Sequence, residues 1–374
     1  MSLIPQPMLA TLDDAARAAV LNPSPARSAI ALLDVAEGIP PFSSKVATRS
    51  RWLAYAGAQL GAAADVPDGL DVRLLAEIAR TAFAAHETTA AMTATEQALS
   101  QAEALGDIAL CCLLRSRRLP WLSADDLDDA SAEHSALRAM LQRLPEAQRS
   151  PLLRAELAIG EAAYYAAFSD WDDVRQALAG VGRAGLIRDE RLHWYAFASQ
   201  LTLAQLNMRT GQRVPAVRSL IEAARLAHEL EAWAELANVQ TVIAAFAVRT
   251  GSFETGISHA GSALAAMERA TLAHAQINPW LGLPLDVAAE IDFAGAIRSL
   301  AESVVQSLDR NDRHAFLVAV CALVAFYLVA DRAPEALDAL KESIEAAQEM
   351  SDAAGESLLR SVSESLLRFM GVLS

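Results

Sequence analysis

Residues 232–270 of this 374-residue chain run AWAELANVQTVIAAFAVRTGSFETGISHAGSALAAMERA, two helical patterns divided by one glycine. Residues 232–249 hold neither Gly nor Pro and are rich in Ala, Leu and Val, which are compatible with helix. Gly251 then supplies a residue that tolerates the positive φ of a helix end or tight turn. Beyond it Phe253, Gly256, Ile257, Ala260, Ala263 and Leu264 recur in steps of three and four, which places them on one helical face. Ile243, Ala244 and Ala247 answer them from the first helix. Small residues at such a crossing let two backbones approach closely, so the stretch is expected to be an antiparallel helix hairpin.

The hairpin repeats. Arg209-Thr210-Gly211 and Arg249-Thr250-Gly251 stand forty residues apart, each after one long helical pattern and before another. Forty residues further, Asp292-Phe293 leads to Ala296, Leu300 and Val304; then Asp331 leads to Ala333, Ala336, Leu340 and Ile344. In the other direction, Ser169-Asp170-Trp171 precedes Val174, Leu178 and Val181, and Asp125-Asp126 precedes Ala130, His134 and Leu137. Turns are thus expected near 86, 125, 169, 211, 251, 291 and 331. A forty-residue period of hairpins is the signature of a solenoid, whose core grows by stacking.

The set Gly251, Phe253, Gly256, Ala260, Ala263 and Leu264, with Ala244, resembles a tetratricopeptide repeat. So does Gly211, Ala216, Leu220 and Ala223 with Ala204. Tyr327 adds an aromatic where the family favours one. The resemblance spans roughly residues 70–350. The period exceeds the family's usual one and its terminal proline is missing from most copies, as in elongated variants. It implies an all-α, right-handed α-solenoid of antiparallel helix hairpins, whose concave groove, lined by the first helix of each hairpin, holds peptides or protein segments.

Three regions are expected. Residues 1–69 form an N-terminal helical cap with patterns at 9–20, 25–37 and 44–62; residues 70–350 form the repeats; residues 351–374 supply a capping helix through Leu358, Leu359, Val362, Leu366, Leu367 and Met370. Pro120 is expected to interrupt its helix. Asn278-Pro279-Trp280-Leu281-Gly282-Leu283-Pro284 forms a proline-broken loop in place of a first helix. Residues 315–330 carry no charge but are shorter than the about twenty residues of a membrane span. They are expected to be covered by a neighbour, a C-terminal helix or a second copy of the chain in a homo-oligomer.

Alanine fills about a fifth of the chain and glycine only 17 positions, as befits an all-helical protein. A net charge of −15 leaves no basic stripe for nucleic acid; Arg115-Ser116-Arg117-Arg118 is the nearest approach and is expected to be solvated at a helix end. Arginine greatly outnumbers lysine, present only as Lys45 and Lys341, which with the alanine excess fits a GC-rich bacterial genome. Cys111, Cys112 and Cys321 lack metal or redox spacing and are expected as buried thiols in a reducing, cytoplasmic compartment. No signal peptide or membrane span is apparent.

No nucleotide fingerprint occurs, and His86-Glu87 meets Ala90 where a zincin would place its second histidine. His193-Trp194-Tyr195 and His228 are expected at helix surfaces or edges of the core. The acidic pairs Asp125-Asp126, Asp128-Asp129 and Asp172-Asp173 sit at helix starts, where they suit the dipole and cap amides. No catalytic, cofactor or metal site is expected. On the groove implied by the resemblance, the polar candidates are Glu156, Gln205, Arg209, Asn238, Thr241 and Arg249, with Trp280 as plug or lid. Arg209 and Arg249 are equivalent by repeat; stacked, they would clamp a carboxylate or acidic segment. The alternative is that each bonds the last carbonyls of its own helix. The expected function is a non-enzymatic scaffold for a protein or peptide segment. A regulator that senses a small molecule or signalling peptide and sequesters a partner is the second possibility, and a self-assembling structural protein the third.

Overall fold

A computed structural model describes residues 4–39, 41, 45–85, 87–183, 192–270 and 293–373, and every regular element among them is a helix. The chain divides into two compact units, residues 1–199 and 200–374, with the division inside one helix.

The first unit begins with α1 (Gln6–Leu9), α2 (Asp14–Val20), α3 (Pro25–Glu37) and α4 (Val46–Gly61). The pattern at 9–20 is two helices, because the Asp13 side chain accepts the Ala16 amide and starts a new one. Next come α5 (Leu70–Ala84), α6 (Thr88–Leu105), α7 (Ile108–Asp125), α8 (Leu127–Arg143), α9 (Pro151–Ala167) and α10 (Trp171–Arg183). Neighbours in sequence pack as hairpins, and the first helices stack, α7 on α9. Cys111 and Cys112 enter different apolar clusters, one beneath α5 and α6 and one beneath α8 and α9. Pro120 does not interrupt α7, which runs on to Asp125. The Ser116 carbonyl that Pro120 cannot bond lies against Gly160 of α9, where a side chain would collide with it.

The second unit contains the end of α11 (His193–Arg209), then α12 (Arg213–Glu229), α13 (Trp233–Arg249), α14 (Phe253–Met267), α15 (Phe293–Asp309), α16 (Arg313–Val329), α17 (Ala333–Glu349) and α18 (Ala353–Phe369). Its turns keep strict time. Residues 211, 231, 251, 311, 331, 351 and 371 all have positive φ, a spacing of twenty or its multiples. Gly211 and Gly251 adopt it without a Cβ penalty, while Glu231, Asn311, Asp331 and Ser351 adopt it as well. Each step joins a helix of mostly 17 residues to a three-residue turn. The sequence-level period of forty is two such steps.

Ala204, Ala216, Leu220, Ala223, Ala244, Ala260 and Ala263 are completely buried, and Gly256 brings α14 onto the Ala244 carbonyl of α13. Every residue from Ala315 to Phe326 in α16 is buried. The elements that cover it are α13, α14, α15, α17 and α18 of the same chain. Of the expected covers for residues 315–330, neighbouring helices and the C-terminal helix therefore bury 315–326, while 327–330 stay half-buried. Leu359, Val362 and Leu366 of α18 are buried, whereas Met370 lies beyond its end and is exposed. No helix among the described residues is long and apolar enough to cross a membrane.

Candidate functional site

The two Arg-Thr-Gly turns shape a cationic cluster in the second unit. Gly211 and Gly251 take φ of +74° and +75°, which turns the chain back on the helix end. Backbone amides then occupy the last carbonyls: Gln212 donates to Asn207 at 2.7 Å and Ser252 to Ala247 at 2.9 Å. The Thr210 and Thr250 hydroxyls take the carbonyls of Leu206 and Phe246. With the helix ends satisfied by backbone and threonine, the arginines are released from capping.

Arg209 uses that freedom to donate to Asp312 at 3.1 Å. Asp312 is already engaged, since its other oxygen caps α16 by accepting the His314 and Ala315 amides. Burial pushes the Asp312 carboxyl up, but the Ala315 amide and Arg209 hold it below its ordinary range. Arg249 is half-buried, its Nε is enclosed without a hydrogen-bond partner, and among the described residues no carboxylate pairs with it. Burial pulls the guanidinium below its usual range; Cys321 opposes this and Arg213 adds to it. Burial, with Arg209 and Arg249 nearby, pulls His314 down to about 4, so it is neutral at pH 7. In a chain of net charge −15, Arg209 and Arg249 thus lie near His314 and Arg213 lies near Arg249, with Asp312 engaging Arg209 alone of the three. Such a place has vacant charge for an anion, above all a planar carboxylate that an arginine fork can hold at two points.

The remaining candidates fall elsewhere. Gln205 stands four residues before Arg209, half-buried. Asn238 and Thr241 are both buried, and the Thr241 hydroxyl donates to the Ala237 carbonyl of its own helix. Trp280 and the proline-broken loop lie outside the described residues.

Glu156 is also interior, at 1% exposure, and belongs to a polar ladder in the first unit. Glu77 of α5, Arg117 of α7, Glu156 of α9 and Tyr195 of α11 follow one another at intervals of forty and thirty-nine residues. Arg117 donates to Glu156 at 2.7 Å and reaches Glu77 at 3.5 Å; the Tyr195 hydroxyl donates to Glu156 at 2.5 Å. Arg80 donates to the Tyr195 oxygen at 2.6 Å. Arg49 of α4 pairs with Glu77 and donates to the Ala36 and Ile39 carbonyls and the Thr81 hydroxyl. Burial pushes Glu77 up, yet Arg117 and Arg49 pull it further down, to about 2. Burial raises the Tyr195 phenol, so it stays a proton donor. Two sequence expectations are corrected. Trp194 and Tyr195 lie within the core, and Arg115, Arg117 and Arg118 are neutralised along α7 by Glu103, Glu133, Glu77, Glu156 and Glu96. The ladder has no open face for a ligand; it locks the register of successive first helices.

These features define an all-helical protein of stacked hairpins with a charge-vacant cluster at its helix ends. Residues 183–250 and 285–370 match the family model of anaphase-promoting complex subunit 5, a helical-repeat family of the tetratricopeptide-like class. The two matched stretches cover less than half of the chain, and they contain Arg209, Arg213, Arg249, Asp312 and His314. No curated protein compared with the chain matches it.

Proposed function

We propose that this protein is a non-enzymatic scaffold that binds a protein partner, and that the cationic cluster receives an acidic segment or a chain-terminal carboxylate of that partner. The observation that carries the reading is Arg249, a half-buried guanidinium without a carboxylate partner among the described residues, beside Arg213 and close to His314. A buried cation left unpaired is costly, and a bound carboxylate removes that cost. The similarity to a family of complex subunits supports a role in assembly. The three buried, unpaired thiols suit a reducing compartment such as the cytoplasm.

The test is affinity capture from host lysate with wild type beside Arg249→Gln and Arg209→Glu/Arg249→Glu, read by mass spectrometry, after thermal melts show all three folded. A partner held by wild type and lost from both variants is expected, with retention falling as salt rises. A partner retained equally by all three would remove the cluster from the interface.

A further inference from the structure

A second surface lies on the opposite side of α13. Trp233, Leu236, Gln240 and Ile243 project from α13 in steps of three and four, about 160° around the helix from Arg249. They floor a groove of about 440 Å³ walled by α12 and α14, the second helices of two consecutive hairpins. Small residues line the walls, Ala224 on one side and Ser262, Ala265 and Ala266 on the other, and leave room for incoming side chains. Ile221 stands on the lip at 54% exposure.

The groove's charge is one-sided. The ionisable groups that line it are Arg225, His228, His259 and Arg269, with no Asp or Glu among them, although the chain carries 46 acidic residues against 31 Lys and Arg. Arg225 is committed to Glu222 and Glu229. His259 is held by Gln240 at 2.6 Å, and burial keeps it below the ordinary histidine range. Arg269 is different: its guanidinium lies 5.1 Å from the Trp233 ring centre, and among the described residues it has no ion-pair partner. His228 meets the same ring edge-on at 5.5 Å. Trp233 is thus an apolar floor flanked by two donors that remain available to an anion.

We propose that this groove docks one amphipathic α-helix of an acidic partner protein. Apolar side chains at i, i+4 and i+7 of the incoming helix would lie over Trp233, Leu236 and Ile243, and a carboxylate on its flank would pair with Arg269. The floor runs for roughly three helical turns, the length that such anchors need. Its apolar walls and the Arg269 guanidinium, which has no ion-pair partner among the described residues, select an acidic helix over a basic one. This surface stands apart from the Arg249 cluster, so either assignment can fail without the other.

The test titrates the full-length chain into a fluorescein-labelled, hydrocarbon-stapled helix carrying Leu at i, i+4 and i+7 and Glu on its flanks, read by anisotropy. The variants are Ile221→Glu and Arg269→Glu, whose wild-type side chains are exposed, so folding is retained and checked by thermal melt. Saturable binding is expected, weakened about tenfold by each variant and by replacing the peptide's Glu with Lys. The Lys peptide should regain affinity for Arg269→Glu, and Arg249→Gln should leave binding unchanged. Absence of saturable binding, equal affinity for both peptides, or indifference to both variants would overturn the proposal. So would binding of a small apolar dye that the peptide does not displace. Loss on Arg249→Gln alone would move the peptide to the cationic cluster instead.

Discussion

Gly160 has its place because Pro120 lacks an amide hydrogen. Proline cannot bond the carbonyl four residues before it, so the Ser116 carbonyl is left free in mid-helix. That oxygen rests on α9 where Gly160 has no side chain; a Cβ there would lie 2.5 Å from it. Backbone cannot step aside as a side-chain tip can. Gly160→Ala gains about 1 kcal/mol in helix propensity, but overpacking costs roughly 1–3 kcal/mol, and against backbone the larger figure applies. Net destabilisation near 2 kcal/mol is expected in urea melts; an unchanged midpoint would mean that α7 and α9 do not meet here. Ala244 presents the same logic at the other crossing, completely buried with its carbonyl 3.4 Å from a Cβ built on Gly256. Ala244→Leu should cost about 1–3 kcal/mol, and a neutral result would refute the packing of α13 on α14.

Between helices, the polar ladder makes the sharper case. Glu156→Leu leaves Arg117, a buried guanidinium, with the Ala76 carbonyl at 3.3 Å and a long 3.5 Å contact to Glu77 as its nearest carboxylate. Breaking a buried pair from one side costs about 3–5 kcal/mol, while replacing both partners with apolar groups costs much less. Arg117→Leu/Glu156→Leu should therefore be more stable than the sum of its single variants predicts, by more than about 1 kcal/mol in a double-mutant cycle. Strict additivity would show that the two side chains do not interact. The contrast between hairpins and ladder also explains what the sequence made legible. Small and apolar residues at steps of three and four are a local signal, and they located α13, α14 and the turns at 211 and 251 directly. The ladder is signalled only by the forty-residue period applied to polar residues, Glu77 to Arg117 to Glu156 to Tyr195, whereas an isolated glutamate in an alanine-rich helix looks solvent-facing. The Thr241 hydroxyl, by contrast, is satisfied within its own helix, which residue type alone does not announce. Arg209 and Arg249 were visible by repeat equivalence, but Asp312 lies 103 residues from Arg209 and no local pattern announces that pairing.

Two ionisable groups, one in each compact unit, show how the sign of a pKa shift sets the response to acid. His314, in the second unit, is held at about 4 by burial and by Arg209 and Arg249, with only Asp312 opposing. Its unfolded value is near 6.5, so below that pH the unfolded chain binds a proton that the folded one refuses. Stability of residues 200–374 should fall from about pH 6.5 and level off below 4, by on the order of 3 kcal/mol. Glu77, in the first unit, is held at about 2 although burial alone would raise it, because Arg117 and Arg49 prevail. Its contribution is intact above the unfolded value of 4.5 and is lost as pH falls toward 2, a later window of similar size. Hydrogen exchange by mass spectrometry, corrected for intrinsic rates, should show α16 and its neighbours losing protection by pH 5 while α5, α7 and α9 keep theirs. His314→Gln should abolish the early loss and leave the late one. A bound carboxylate should act in the reverse sense: by offsetting Arg209 and Arg249 it raises the His314 pKa, so an acidic peptide in the cluster should bind more tightly at pH 5 than at pH 7 and restore protection to α16. Loss of protection in both units together would instead mean that the chain unfolds as one cooperative unit, and the same loss in His314→Gln would mean that His314 is not the group held neutral.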